Sequence, residues 1–153
     1  DDSEYKAMRE EFLDLYAERC CGETRLFPGV AELLAELRAR DVRWGVVTNK
    51  ATRFTERILA HLELKPDCVA CGDTTPHLKP HPASCLHAAE QLKLAPQACW
   101  YLGDDLRDMK AAQAAGARAI AVEWGYHHPD HGGPDTWQAA AVISHPMQVI
   151  GLL

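Results

Sequence analysis

A run of acidic residues follows a short apolar segment in the second half of the chain. Asp104 and Asp108 lie four residues apart, directly after the apolar residues 98–102 and Gly103. This pattern predicts a buried strand that turns into a helix. Hard cations such as Mg²⁺ bind carboxylate oxygens and commonly take a substrate phosphate as a further ligand. The spacing therefore indicates a divalent-cation site, although the same acids would also cap and stabilise the first turn of a helix.

Two other polar segments carry groups that bind phosphate. Thr48 and Asn49 follow the apolar residues 42–47, and Lys79 lies in a proline-rich loop over residues 72–82. A hydroxyl, backbone amides and a lysine ammonium all donate to phosphate oxygens. Taken singly, Thr48 would cap the next helix and Lys79 would be a solvated loop residue. Because each segment stands at a predicted strand end, the ordered set favours a phosphate site beside a cation.

The convergence of these segments depends on a parallel sheet. Apolar runs predict strands at residues 42–47, 68–71, 98–102, 119–122 and 139–143. Helical spacing predicts helices over residues 5–21, 30–37, 54–62, 83–93 and 105–115, with a short helix from residue 146. Strands that alternate with helices predict an α/β fold with a Rossmann-like, doubly wound parallel sheet. Ligands bind such sheets at the carboxyl ends of the strands, where all three polar segments lie.

The bulk composition excludes several classes of protein. The 153 residues carry a net charge of −6, which argues against nucleic-acid binding, and no apolar run approaches the length of a membrane span. The six cysteines are scattered, and the C-x-x-C pair Cys68 and Cys71 lacks the second pair of a zinc site. This cysteine usage predicts a protein of a reducing compartment, the cytoplasm.

Three histidines stand close together in the segment over residues 124–137. His127, His128 and His131 raise the question of a zinc site. The interleaved Pro129 and Gly132, with their neighbours, favour a mobile surface loop instead.

The ordered motifs V-T-N-K, K-P-H-P and G-D-D-x-x-D resemble the second, third and fourth motifs of the haloacid dehalogenase superfamily of phosphatases. Within that superfamily, the phosphatases acting on 2-phosphoglycolate and on N-acetylmuramic acid 6-phosphate are the most similar. The resemblance spans nearly the whole chain. It implies that Thr48 and Asn49 bind the phosphate and that Lys79 is the catalytic residue that steadies both the phosphate and the nucleophile.

The same resemblance implies roles for the acidic run and for the two ends of the chain. Asp104 would ligate Mg²⁺. Asp105 would support the metal without binding it directly, and Asp108 would support either the metal or Lys79 in the same indirect way. Residues 1–24 would be the last part of a helical cap with its linker, and residues 25–153 would form the haloacid dehalogenase-like core.

One motif of the superfamily is absent from the 153 residues. It is D-x-D-G-T, whose first aspartate is the nucleophile that becomes an aspartyl-phosphate. We therefore expect the chain to be a fragment, inactive alone, whose core lacks the strand between residues 42–47 and 98–102. The expected function of the longer protein is Mg²⁺-dependent hydrolysis of a small phosphorylated metabolite such as 2-phosphoglycolate, by a monomer or homodimer. The alternatives are a phosphatase of N-acetylmuramic acid 6-phosphate or another sugar phosphate, and a non-catalytic α/β binding module.

Overall fold

Helices and strands alternate along the chain, as the sequence predicts. A computed structural model describes residues 2–153, apart from the side chains of residues 2 and 18. The helices are α1 (Asp2–Arg19), α2 (Val30–Ala39), α3 (Thr52–His61), α4 (Ala83–Gln91), α5 (Leu106–Ala115) and α6 (Gln148–Leu152). The strands are β1 (Gly45–Val47), β2 (Cys68–Ala70), β3 (Trp100–Gly103), β4 (Arg118–Val122) and β5 (Ala141–Ile143).

All strand pairs are parallel, but they form two separate sheets. β1 pairs with β2 in a register that places Val46 opposite Val69. β4 lies between β3 and β5 in the second sheet, with Leu102 opposite Ile120. Within residues 2–153, no backbone ladder joins β1 to β3. The two strands instead meet through side chains, because Val47 and Tyr101 both pack against a buried cluster of α4 and α5.

The core lies on both faces of the three-stranded sheet. Ile120 and Val122 of β4 face one layer, where they pack with residues of α2 and α6. Ala119 and Ala121 alternate with them and pack against Met109 and its neighbours on α5. These four residues of β4 are buried, which explains why residues 119–122 appear in the sequence as an unbroken apolar run.

Several strands are shorter than the apolar runs suggest. The predicted strand over 42–47 begins only at Gly45, because the Val42 amide donates to the Leu37 carbonyl at the end of α2. The predicted strand over 98–102 begins at Trp100, because Pro96–Ala98 forms a 3₁₀ turn. Gly116 ends α5 as predicted, with φ of 83°.

The helix α1 touches the rest of the chain near its carboxyl end. Tyr16 packs edge-on against Phe54 of α3, with ring centroids 5.1 Å apart. The apolar side chains nearer its start are largely exposed: Tyr5, Met8 and Phe12 keep 64–69% of their surface. No helix within the described part of the chain combines the length and the apolar character needed to cross a bilayer.

Candidate active site

Lys79 is held in a fixed position between the two sheets. Its Nζ donates to the Val47 carbonyl at 3.2 Å, to the Tyr101 hydroxyl at 2.9 Å and to Asp108 Oδ1 at 2.7 Å. The side chains of Lys79 and Asp108 are only 10% and 9% exposed. Because an ammonium group has three hydrogens, these acceptors use its whole donor capacity. The ammonium therefore sits at the carboxyl end of β1 with little freedom to move.

Asn49 positions the loop that carries this lysine. Its Oδ1 accepts from the Lys79 amide at 2.9 Å, and its Nδ2 donates to the Lys79 carbonyl at 3.1 Å. The side-chain amide of Asn49 thus makes the two hydrogen bonds to Lys79 that the backbone of a residue in a neighbouring strand would make. Since both ends of the amide are engaged, the side chain of Asn49 serves first to place Lys79, and its predicted contact with phosphate stays a prediction.

Thr48 stands at the end of β1, and its hydroxyl donates to no acceptor among the described residues. Its amide extends the ladder to the Ala70 carbonyl at 2.9 Å, and its Oγ1 accepts from the Lys50 amide at 3.1 Å. A hydroxyl that accepts one hydrogen bond keeps its own hydrogen for a second partner. The geometry is compatible with donation to a phosphate oxygen.

Asp104 lies at the carboxyl end of β3, beneath the loop that follows β4. Its Oδ2 accepts from the Tyr126 amide at 2.8 Å. Gly125 makes this approach possible, because a Cβ at that position would lie 2.3 Å from Asp104 Oδ2, and its φ of 121° is one that side chains rarely adopt. The loop thus fixes one oxygen of the carboxylate.

Asp105 and Asp108 form a capping box at the start of α5. Asp105 accepts from the Arg107 amide at 2.8 Å, and Asp108 Oδ2 accepts from the Asp105 amide at 3.2 Å. The capping explanation and the functional one are therefore compatible, because Asp108 caps the helix with one oxygen and binds Lys79 with the other. Capping residues of this kind commonly stabilise a helix by about 1 kcal/mol.

The side chain of Asp105 contacts basic groups on the protein surface. Arg107 donates to both carboxylate oxygens at 2.9 and 3.1 Å, and His131 Nδ1 lies 3.3 Å from Oδ1. Burial would raise the pKa of Asp105, but the hydrogen bonds and charge of Arg107, with His131 nearby, lower it to about 2. Its predicted support of a metal ligand stays a prediction, since these contacts fasten the loop over residues 124–137 to α5.

The donor set fits a magnesium ion that completes its shell from elsewhere. In the described residues, no three side chains of histidine, cysteine, aspartate or glutamate gather into a cluster that could hold a metal. Mg²⁺ usually takes only one or two protein carboxylates, together with water and phosphate. Asp104 is suited to be one such ligand, whereas Asp108 already pairs with Lys79.

Tyr101 is a site residue that the sequence analysis missed. Its hydroxyl accepts from Lys79 and donates to the Val47 carbonyl at 3.1 Å, so it links β3 to β1. Burial, and then the nearby Asp108 carboxylate, raise its pKa well above the usual range. The only available signal was a tyrosine within an apolar strand, since a buried tyrosine hydroxyl needs a partner.

The histidines of the loop over residues 124–137 have different partners. His127 lies 3.1 Å from the Val122 carbonyl and packs edge-on against Trp137, which is 2% exposed. His131 accepts from the Trp137 indole through its carbonyl at 2.7 Å and contacts Asp105 through its ring. The loop is therefore anchored to the core at both of these residues.

Comparison with known proteins places the chain in a family. A model of the haloacid dehalogenase-like hydrolases matches residues 1–122. The chain is 40% identical over 147 residues to the N-acetylmuramic acid 6-phosphate phosphatase of Pseudomonas putida. It is 37% identical over 146 residues to a phosphoglycolate phosphatase of Xanthomonas campestris. The matches cover 95% and 94% of this chain but 66% of each relative, so the chain spans about two thirds of their length.

Solved structures share the fold. A protein described as a predicted phosphoglycolate phosphatase from Haemophilus somnus superposes with a TM-score of 0.89 at 26% identity, over 99% of this chain and 68% of that one. A hydrolase from Pseudomonas syringae superposes with a TM-score of 0.82 at 23% identity, with the same coverage, and at that identity it informs only the fold. Together they confirm the predicted Rossmann-like α/β architecture.

Proposed function

Because this chain belongs to the haloacid dehalogenase-like hydrolase family, we propose that the intact protein is a Mg²⁺-dependent phosphatase of small phosphorylated metabolites. The observation that carries this proposal is the buried Lys79–Asp108 pair, with its 2.7 Å contact, at the strand ends that also present Thr48 and Asp104. A lysine with so little exposure, fixed by three acceptors, is unusual for a loop. Placing a fixed positive charge where phosphate charge develops is a main source of catalysis.

The residues of this chain would have the following roles in the reaction. Thr48 would donate its hydroxyl hydrogen to the phosphate, and Lys79 would hold the negative charge of the phosphate and of the attacking group. Asp104 would bind Mg²⁺. When bound, that ion would offset the charge of the phosphoryl group during its transfer.

The nucleophile would come from a strand outside residues 1–153. β1 and β3 share no ladder in the described chain, and each would gain a partner from a strand between them. Such a strand would end beside Lys79 and Asp104, which is where an aspartate nucleophile is needed. The proposal includes a cytoplasmic location, since all six cysteines are free thiols.

The substrate class follows from the two relatives named above. The substrates in their names, phosphoglycolate and N-acetylmuramic acid 6-phosphate, are both phosphomonoesters that also carry a carboxylate. We propose a substrate of this class, with 2-phosphoglycolate as the simplest member and N-acetylmuramic acid 6-phosphate as the alternative.

The test is phosphate release by the intact protein from both candidate substrates, with Mg²⁺ and with a chelator. Asp104→Asn should lower activity most strongly at limiting Mg²⁺. Lys79→Ala should lower kcat/KM by at least about 10²-fold, the usual cost of removing a preorganised group that stabilises developing charge. Lys110→Met, on the exposed side of α5, is the matched control and should keep full activity.

Three results would contradict the proposal in different ways. Full activity of Asp104→Asn at limiting Mg²⁺ would remove the metal assignment. Unchanged turnover in Lys79→Ala would remove the catalytic role of the lysine. The absence of hydrolysis with either substrate would favour the non-catalytic binding module.

A further inference from the structure

The side chain of Lys50 reaches from the end of β1 to the helix α1. Its Nζ donates to the Tyr16 hydroxyl at 2.5 Å and lies 4.6 Å from the centroid of that ring. Among the described side chains, no carboxylate comes within 4.0 Å of this nitrogen. The lysine is half-buried. Lysine buries its aliphatic stem more readily than its ammonium, and an ammonium without a carboxylate partner can still bind an anionic ligand.

The neighbouring basic residues on this face are already engaged by α1. Arg57 donates to the Ala17 carbonyl at 2.8 Å, and Arg53 lies 3.9 Å from Asp14. These contacts link α1 to α3 without involving Lys50. The phenol partner of Lys50 leaves two of its three hydrogens without an acceptor in the described residues.

The backbone of Lys50 is fixed next to the proposed phosphate site. Its amide donates to Thr48 Oγ1 at 3.1 Å, and its carbonyl accepts from the Gly72 amide at 2.8 Å. The backbone of Lys50 thus lies beside the threonine that would bind phosphate, and its side chain reaches Tyr16 near the carboxyl end of α1. A substrate whose phosphate lies at Thr48, and whose remaining atoms extend toward α1, would pass the ammonium.

We propose that the Lys50 ammonium, together with the Tyr16 hydroxyl, binds the carboxylate of the substrate and so determines specificity. This inference rests on the proposed phosphatase function, since it assigns the second anionic group of that substrate. The carboxylate accepts one hydrogen bond from the ammonium and one from the phenol, and it neutralises the unpaired charge. Charge-assisted hydrogen bonds of this kind are worth about 10- to 100-fold in affinity. A substrate with a neutral group in place of the carboxylate leaves the ammonium unpaired, and its affinity is lower by a similar factor.

The test compares two ligands that cannot be hydrolysed and differ only in the carboxylate. They are 3-phosphonopropionate and propylphosphonate, with affinities for the intact protein measured by calorimetry in the presence of Mg²⁺. The wild-type protein should prefer 3-phosphonopropionate by about 10- to 100-fold. Lys50→Met should abolish that preference while its affinity for propylphosphonate stays within about threefold, and Lys110→Met should keep the preference.

Each other outcome overturns the inference. Equal affinity of the wild-type protein for the two ligands would do so without any variant. An equal loss of both ligands in Lys50→Met would show a structural or phosphate-binding role instead. The hydrolysis assay is separate: a preserved preference without phosphate release would reject the phosphatase and leave the carboxylate site standing.

Discussion

The buried pair of Lys79 and Asp108 should contribute far more to stability than an exposed pair of the same length. Asp108→Asn keeps the shape of the side chain but leaves the ammonium of Lys79 without a counter-charge in a site where both side chains are about one-tenth exposed. Removing one partner of a buried pair costs about 3–5 kcal/mol. Because the asparagine oxygen still accepts a hydrogen bond, we expect about 3 kcal/mol, which corresponds to a loss of about 6–12 °C in Tm.

The chain offers a matched control at the carboxyl end of α2. Arg40 and Glu36 are 2.6 Å apart, but their side chains are 49% and 37% exposed. Glu36→Gln should therefore cost only about 0.2–1 kcal/mol. Both variants convert a carboxylate into an amide at nearly the same distance from a cation, so the difference between them measures the effect of burial.

The assay is urea denaturation of the intact protein, with Lys79→Met and the double variant completing a mutant cycle. We expect a coupling energy above about 1.5 kcal/mol, since the two residues share one buried network. A coupling energy below about 0.5 kcal/mol, or equal losses for Asp108→Asn and Glu36→Gln, would refute the argument from burial.

Two further predictions concern the loops around the site. Gly125→Ala should lower kcat/KM at limiting Mg²⁺ by about 10-fold or more, because its Cβ would lie 2.3 Å from Asp104 Oδ2. Gly151→Ala, whose added Cβ would meet no atom within 4 Å beyond its chain neighbours and its own helix backbone, should instead keep activity and gain roughly 0.5–1 kcal/mol of stability. Equal effects of the two variants would contradict the close approach of Gly125 to Asp104. Hydrogen bonds from Thr52 lower the pKa of Asp73, so its contribution to stability is present above its ordinary pKa and is lost as pH falls through the lowered one. Thr52→Val should raise that pKa, measured by NMR titration, and an unchanged value would count against this cause.

The sequence predicted the positions of the polar segments better than their contacts. The meeting of Lys79 with Asp108 follows from the parallel topology, because both residues stand at strand ends on the same edge of the fold. The clamp of Asn49 on the Lys79 backbone could not be predicted, since a contact between two loops leaves no periodic pattern. The contact between Tyr101 and Lys79 could not be predicted for a related reason. Strand periodicity indicates that a side chain is buried, but it does not indicate which polar group its hydroxyl will contact.

The predicted start of the strand over residues 42–47 was wrong for a local reason. The apolar run is typical of a strand, but the backbone amides at its start form hydrogen bonds outside the sheet. The Val42 amide belongs to the end of α2, and the Trp44 amide donates to the Asp67 side chain at 2.9 Å. Hydrophobicity therefore located the strand, and the competition for backbone partners decided where it begins.

The separation of the two sheets has a consequence for amide hydrogen exchange. The central strand β4 is hydrogen-bonded on both sides, whereas β1 has a ladder on one side only. Local openings follow such differences, and cooperative units often coincide with groups of neighbouring elements. In residues 1–153 alone, the β1–β2 pair should therefore open independently of the three-stranded sheet, whereas a strand that pairs with both β1 and β3 in the intact protein should make the two open together. Because Lys79 donates to Val47 on one side and to Asp108 on the other, its loss should widen that difference.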